Sequence, residues 1–156
     1  MQVKQCMKQT VFTINPKTTT AEAASILASK HIGSLPVIDQ QGKLVGLLQL
    51  RDLLLLVLPD FLELVDDFDF APNFGAIEER KLSEADLACT VDKLMRPPIS
   101  VEAESGLLRA FSLLYKHQLH DLPVVDEDNV LVGIVSHVDV GTAFLANWHM
   151  TQGGSE

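Results

Sequence analysis

Two stretches of this 156-residue chain decide its fold: LPVIDQQGKLVGLLQLRDL, Leu35 to Leu53, and LPVVDEDNVLVGIVSHVDV, Leu122 to Val140. A shift of 87 residues lays the first on the second, and the same shift pairs Ala23–Leu27 with Ala110–Leu114. Met7 falls on Met95 once one residue is gapped near the start. The chain therefore contains an internal repeat, each copy running about half its length.

Periodicity orders the elements within a copy. Val11–Ile14 reads as a short strand. Glu22 then stands three residues after Thr19, the spacing of a capping box, in which a hydroxyl and a carboxylate each satisfy an amide at a helix start. Ala24, Leu27, Ala28 and Ile32 recur at helical spacing and predict one buried face, until Pro36 returns the chain to an extended path. Leu35–Ile38 and Leu44–Leu48 flank Asp39–Gly42 as a hairpin, with Gly42 available for positive φ, and a second helix starts near Leu50. Copy two predicts the same order, strand, helix, strand, strand, helix, with Ser105 as first cap and Asp126–Asn129 as turn. A unit of roughly 50 residues cannot bury both faces of its small sheet alone. The expected fold is thus α/β (α+β): two repeats packed about a pseudo-twofold axis, with clefts between them. The expected boundaries are 1–58 for repeat one, 59–90 for an insertion, 91–146 for repeat two and 147–156 for a flexible tail.

Composition narrows the function. With 21 Asp and Glu against 12 Lys and Arg, the formal charge of −9 argues against binding to nucleic acid or an acidic membrane surface. The longest apolar run, Leu53 to Leu58, is far short of the roughly 20 residues of a membrane helix. The first residues lack the apolar core of a secretory signal. Cys6 and Cys89 lie 83 residues apart without a CxxC pair, so a reducing cytoplasm is the expected location. No Gly-rich phosphate loop, GxSxG elbow or HExxH motif occurs, and neither cysteine has a nearby base, so no enzyme activity is predicted.

Between the repeats, Pro59–Thr90 holds nine acidic residues, two basic ones and four of the seven phenylalanines, Phe61, Phe68, Phe70 and Phe74. That aromatic content predicts an ordered insertion. Asp66, Asp67 and Asp69 lack the glycine and distal glutamate of a calcium loop and read as a solvated acidic face.

The block Gly133-Ile-Val-Ser136-His-Val-Asp139 carries chemistry. Ser136 falls where a strand meets a helix, so its hydroxyl and the amides of the first turn can hold a phosphate or ribose oxygen. Asp139, one turn on, has acceptor lone pairs for both hydroxyls of a ribose. The alternative reading needs no ligand, because Ser-x-x-Asp at a helix start is also a capping box. In repeat one the matching block keeps Asp52 but has Gln49, a poor cap, in place of serine. That cleft is expected to be degenerate, with Arg51 left to pair with an anion. His117, His120 and His137 lack the spacing of a metal site.

With these residues in place, the chain resembles the tandem CBS domain pair, or Bateman module. Each copy has Met-x(3)-apolar near its start, a Leu-Pro-Val-apolar-Asp block at Leu35–Asp39 and Leu122–Asp126, and a Gly-to-Asp block at Gly46–Asp52 and Gly133–Asp139. The resemblance implies regulation through an adenosyl ligand, AMP, ADP, ATP or S-adenosylmethionine, bound between the repeats and read by an unidentified effector protein. It places the adenine against Ile99, Ser100 and Val101 and the start of the Leu122-Pro123 strand, with His120 near the ribose or phosphate and His137 beside it. Many members carry a basic residue after the position of His120, where this chain has Asp121. That departure favours AMP, S-adenosylmethionine or a magnesium-bound nucleotide over a free di- or triphosphate. The resemblance also implies a flat homodimer, matching the surplus apolar positions of Leu50–Leu58 and the helix Val138–Leu145, unless the Phe-rich insertion covers them. A ligand-free dimerisation or interaction module is the competing reading.

Overall fold

A computed structural model of the chain describes residues 1–58 and 79–151. In chain order the elements are α1 (Thr20–Lys30), β1 (Ser34–Ile38), β2 (Leu44–Gln49), α2 (Leu50–Leu55), α3 (Glu84–Ala88), β3 (Val101–Glu102), α4 (Leu107–Lys116), β4 (Asp121–Val125), β5 (Leu131–Ser136) and α5 (His137–Thr151). Short 3₁₀ turns at Val3–Gln5 and Val91–Lys93 precede the two repeats. The phenylalanines and the Asp66–Asp69 cluster of the insertion lie outside the described residues.

Helix α1 starts as its sequence requires. The Glu22 amide donates to Thr19 Oγ1 at 3.3 Å and the Thr19 amide to Glu22 Oε2 at 2.8 Å, and these Thr19 hydrogen bonds hold the Glu22 carboxyl below its ordinary pKa. Its buried stripe is Thr20, Ala23 and Leu27. Ala28, expected inside, is exposed, because burial steps through positions 20, 23 and 27 and leaves 28 one position round. In repeat two the expected cap Ser105 is not the cap. Helix α4 begins at Leu107 with Gly106 as N-cap and no side-chain bond, and the 87-residue shift maps Thr19 onto Gly106.

The hairpins match the sequence. β1 pairs antiparallel with β2, and β4 with β5. Gly42 (φ 79°) and Asn129 (φ 63°), equivalent under the shift, both take the left-handed conformation that glycine and asparagine tolerate best. The expected strand Val11–Ile14 shrinks to one paired residue, Ile14 against Val37. The Ile14 amide bonds to Pro36 O and the Ile38 amide to Ile14 O. The next rung would need an amide proton on Pro36, which proline lacks. In repeat two, β3 is confined to Val101–Glu102 beside β4, with Pro123 in the equivalent place.

Residues that are equivalent in the two repeats and touch one another mark the pseudo-twofold axis. Lys43 pairs with Val130, and Ser34 Oγ donates to Asp121 Oδ2 at 2.9 Å. Beside them the Leu44 amide bonds to Asn129 O and the Leu131 amide to Gly42 O, both at 3.0 Å, one bond being the image of the other.

The opening segments are exchanged across this axis. Val3 and Lys4 donate to Ser105 O and Ala103 O, and Lys8 exchanges two bonds with Ile134, so residues 3–8 lie on repeat two. In return Val91 and Asp92 donate to Thr18 O and Pro16 O, and Arg96 exchanges two bonds with Leu47. Val3 belongs to the core of repeat two and Val91 to that of repeat one, each fully buried. Two glycines permit this crossing. A Cβ on Gly133 would stand 2.8 Å from Met7 Sδ and 2.9 Å from Lys8 O, and one on Gly46 would collide with Met95. The repeated Met and the repeated Gly of the sequence are therefore two halves of one contact.

Candidate functional site

Ser136 ends β5 and caps α5, one turn before Asp139. Its amide and hydroxyl donate to Asp139 Oδ2 at 2.9 and 2.7 Å, and the Asp139 amide donates back to Ser136 Oγ at 3.2 Å. The capping box is thus complete, and the serine proton is directed at Asp139. Lys8, delivered by the exchanged opening segment, places Nζ 3.4 Å from the same Oδ2. Among the described residues Asp139 Oδ1 accepts no hydrogen bond. A carboxylate with one oxygen held and one available is oriented to accept from a hydroxyl pair.

Repeat one supplies the contrast. The Gln49 amide donates to Asp52 Oδ2 at 3.0 Å, while Arg96 Nε and Nη2 reach Asp52 Oδ1 at 2.7 and 2.6 Å. Arg96 follows Met95 as Lys8 follows Met7, so the two cations are equivalent. The difference lies in their grip. Arg96 presents two donors to one oxygen at 2.7 and 2.6 Å, whereas the compact ammonium of Lys8 meets its carboxylate at one distance of 3.4 Å. Both oxygens of Asp52 are engaged.

The remaining expected site residues gather around this pair unevenly. Asp121 stands opposite Ser136 in the β4–β5 register. His120 is exposed, its ring 6.4 Å from that of His137, and His137 lies edge-on to Phe111 at 6.3 Å. Arg51 lines a small cavity of about 180 Å³ near the axis with Gly33, Ser34, Gln49, Leu50, Leu54 and His120. Val101, Leu122 and Pro123 are buried, Val101 and Leu122 in the core of repeat two, while Ile99 and Ser100 keep part of their surface. Lys8 and Arg96 escape a reading of the sequence alone. Their signal is the dipeptide Met-cation at 7–8 and 95–96, but nothing local says which carboxylate each meets.

Two other features carry less chemistry. An open groove of about 1370 Å³ is bordered by residues 13–18, α1 and the end of β1 in repeat one. Its charges are committed within the fold, Glu22 to Thr19, Asp39 to the amides of Gln41 and Lys43, and Lys17 to Asp92. Cys6 is half-buried, and burial followed by the nearby Asp139 charge raises its thiol pKa, which disfavours the reactive thiolate. Among the described residues no group of three or more His, Cys, Asp or Glu is arranged for a metal ion, and no helix is long and apolar enough to cross a membrane.

Repeat order and axis define a tandem pair of CBS domains, and the CBS domain model matches residues 3–59 and 91–145; the chain belongs to that family. It is 32% identical over 141 residues to the CBS domain-containing protein DDB_G0289609 of Dictyostelium discoideum, covering 88% of this chain and 87% of that one. The crystal structure of the CBS-pair protein CBSX2 from Arabidopsis thaliana superposes with a TM-score of 0.73 at 29% identity, covering 95% of this chain and 96% of that one. A second crystal structure of CBSX2, in complex with AMP, gives a TM-score of 0.70 at 29% identity over 93% and 96% of the two chains. The inosine-5'-monophosphate dehydrogenase of Bifidobacterium longum is 28% identical over 127 residues, but these cover 81% of this chain and only 19% of the enzyme.

Proposed function

We propose that this chain is a regulatory module that binds an adenosyl ligand in the repeat-two cleft and passes its occupancy to an effector protein. The observation that carries this reading is the asymmetry of the two carboxylates: Asp139 keeps Oδ1 available, while Arg96 and the Gln49 amide occupy both oxygens of Asp52. The ribose hydroxyls donate to Asp139, the first turn of α5 faces the phosphate or its substitute, and Ile99, Ser100 and His120 border the purine and sugar. Support also comes from CBSX2, similar over nearly the whole chain and crystallised with AMP. Isothermal titration of the full chain with AMP, ADP, ATP and S-adenosylmethionine tests it. Micromolar binding, about −8 kcal/mol, is expected for at least one of them. Asp139→Ala abolishes it and Asp52→Ala leaves it. Equal loss in both variants refutes the asymmetry, and no binding of any of the four favours the ligand-free interaction module.

The module acts as a homodimer in this proposal. Leu50, Leu54, Leu55 and Leu58 on and after α2, and Val138 and Leu145 on α5, are each at least 41% exposed. A second copy meeting these faces about a twofold axis buries them on both chains.

A further inference from the structure

We infer that Lys8 is the phosphate-binding residue of the repeat-two cleft, and that it makes this cleft selective for a nucleoside monophosphate over the unphosphorylated nucleoside. The inference rests on the adenosyl-binding reading above and adds the ligand's charge to it.

The geometry joins a fixed backbone to a free head group. The Lys8 amide and carbonyl are both bonded to Ile134, at 2.8 and 2.9 Å, one residue before Val135 and two before Ser136. The Lys8 backbone is therefore held beside the N-terminus of α5. Its ammonium is 63% exposed and touches Asp139 Oδ2 only at 3.4 Å, a long contact for a charge-assisted bond. A lysine stem has four rotatable carbons, so the head group can leave Asp139 while its backbone stays in place.

The weak hold of Lys8 supplies the next step. A ribose on Asp139 Oδ1 leaves Lys8 its single long contact to Oδ2, already shared with the Ser136 amide and hydroxyl, so the ammonium gains from a second, closer anion within reach. A phosphate at the first turn of α5 is such an anion, and it requires no rearrangement of the Lys8–Ile134 pairing. The other charged group beside Ser136 is the Asp121 carboxylate, held by the Ser34 hydroxyl at 2.9 Å, which opposes a phosphate. Lys8, its backbone paired with Ile134, brings a positive charge to the same helix start. The equivalent Arg96 performs no such exchange, because its two donors at 2.7 and 2.6 Å fix it to Asp52.

The test is calorimetric titration of wild type, Lys8→Gln and Lys8→Arg with AMP and with adenosine, at two salt concentrations. Wild type is expected to bind AMP at least tenfold tighter than adenosine, about the effect of one charge-assisted hydrogen bond. Lys8→Gln reduces that preference to about threefold or less with adenosine affinity preserved, while Lys8→Arg retains it. The AMP affinity of wild type falls with added salt more steeply than that of Lys8→Gln. Equal weakening of both ligands in Lys8→Gln, or an unchanged preference for AMP, overturns the inference and leaves the adenosyl site standing. Wild type that binds neither ligand overturns the underlying site as well.

Discussion

Replacing a glycine by alanine adds one methyl group, and in this chain the same change is expected to act in opposite directions at two sites. At Gly133 the new Cβ stands 2.8 Å from Met7 Sδ, 3.2 Å from Met7 Cγ and 2.9 Å from Lys8 O. The thioether can swing aside, but the carbonyl cannot, because Lys8 is tied to Ile134 by bonds of 2.8 and 2.9 Å. The opening segment must therefore move outward. Overpacking of this kind costs about 1–3 kcal/mol, and weakening the two Lys8 bonds adds about 1 kcal/mol. For a domain of this size the sum of about 2–4 kcal/mol lowers Tm by about 5–15 °C. Gly141 lies within α5 with nothing inside 4 Å of its Cβ position, so Gly141→Ala gains helix propensity, about 0.5–1 kcal/mol, and raises Tm. Gly46→Ala meets only the Met95 side chain among its three nearest atoms and falls between the two. Thermal unfolding followed by circular dichroism, repeated in urea, gives the order. A Gly133→Ala variant within about 1 °C of wild type would refute the claim that glycine is required for the crossing.

Three further outcomes follow. Arg96→Met leaves the Asp52 carboxylate without its two close donors and lowers stability by about 1–3 kcal/mol in urea denaturation, whereas Lys8→Met costs less than about 1 kcal/mol because it removes a single contact of 3.4 Å. The Glu22 carboxyl, held down by Thr19, and that of Asp92, held down by Thr90 and then Lys17, both have depressed pKa values. Their contribution is therefore present above the ordinary values of 4.5 and 3.8 and is lost as pH falls through and below them, so Glu22→Gln flattens the acid limb of a pH–stability profile. In sedimentation at micromolar concentration the chain is expected to run as a dimer, and a single species at the chain mass of 17.1 kDa would show that no second copy covers the α2 and α5 faces.

What the sequence revealed was whatever repeats or alternates locally. The hairpins, the Thr19–Glu22 box and the Ser136–Asp139 box all rest on residues within a few positions of one another, and their chemistry is written in that spacing. The strand at Val11–Ile14 failed for a reason also present in the sequence, the missing amide proton of Pro36, but seen only once the parallel register is known. The exchange of the opening segments was not legible. Val3 and Met7 are apolar at positions that suit either core, and only three-dimensional closure decides which one receives them. Lys8 and Arg96 went unnoticed with it, since their carboxylates lie 131 and 44 residues away. For the same reason Asp139 and Asp52 looked distinguishable only by Ser136 against Gln49, when the sharper distinction is the hold of a guanidinium against that of an ammonium.

The crossing of residues 3–8 and 91–96 has a consequence for descent as well as for assembly. A half-chain cut between the repeats would carry an opening segment with no surface of its own to cover, and a core lacking the valine that seals it. Two such halves would complete one another by trading first residues, as swapped subunits do. The present chain has the form of that trade made permanent by a peptide connection. A duplicated gene whose ancestor was already an intertwined pair would inherit this arrangement without inventing a single new contact.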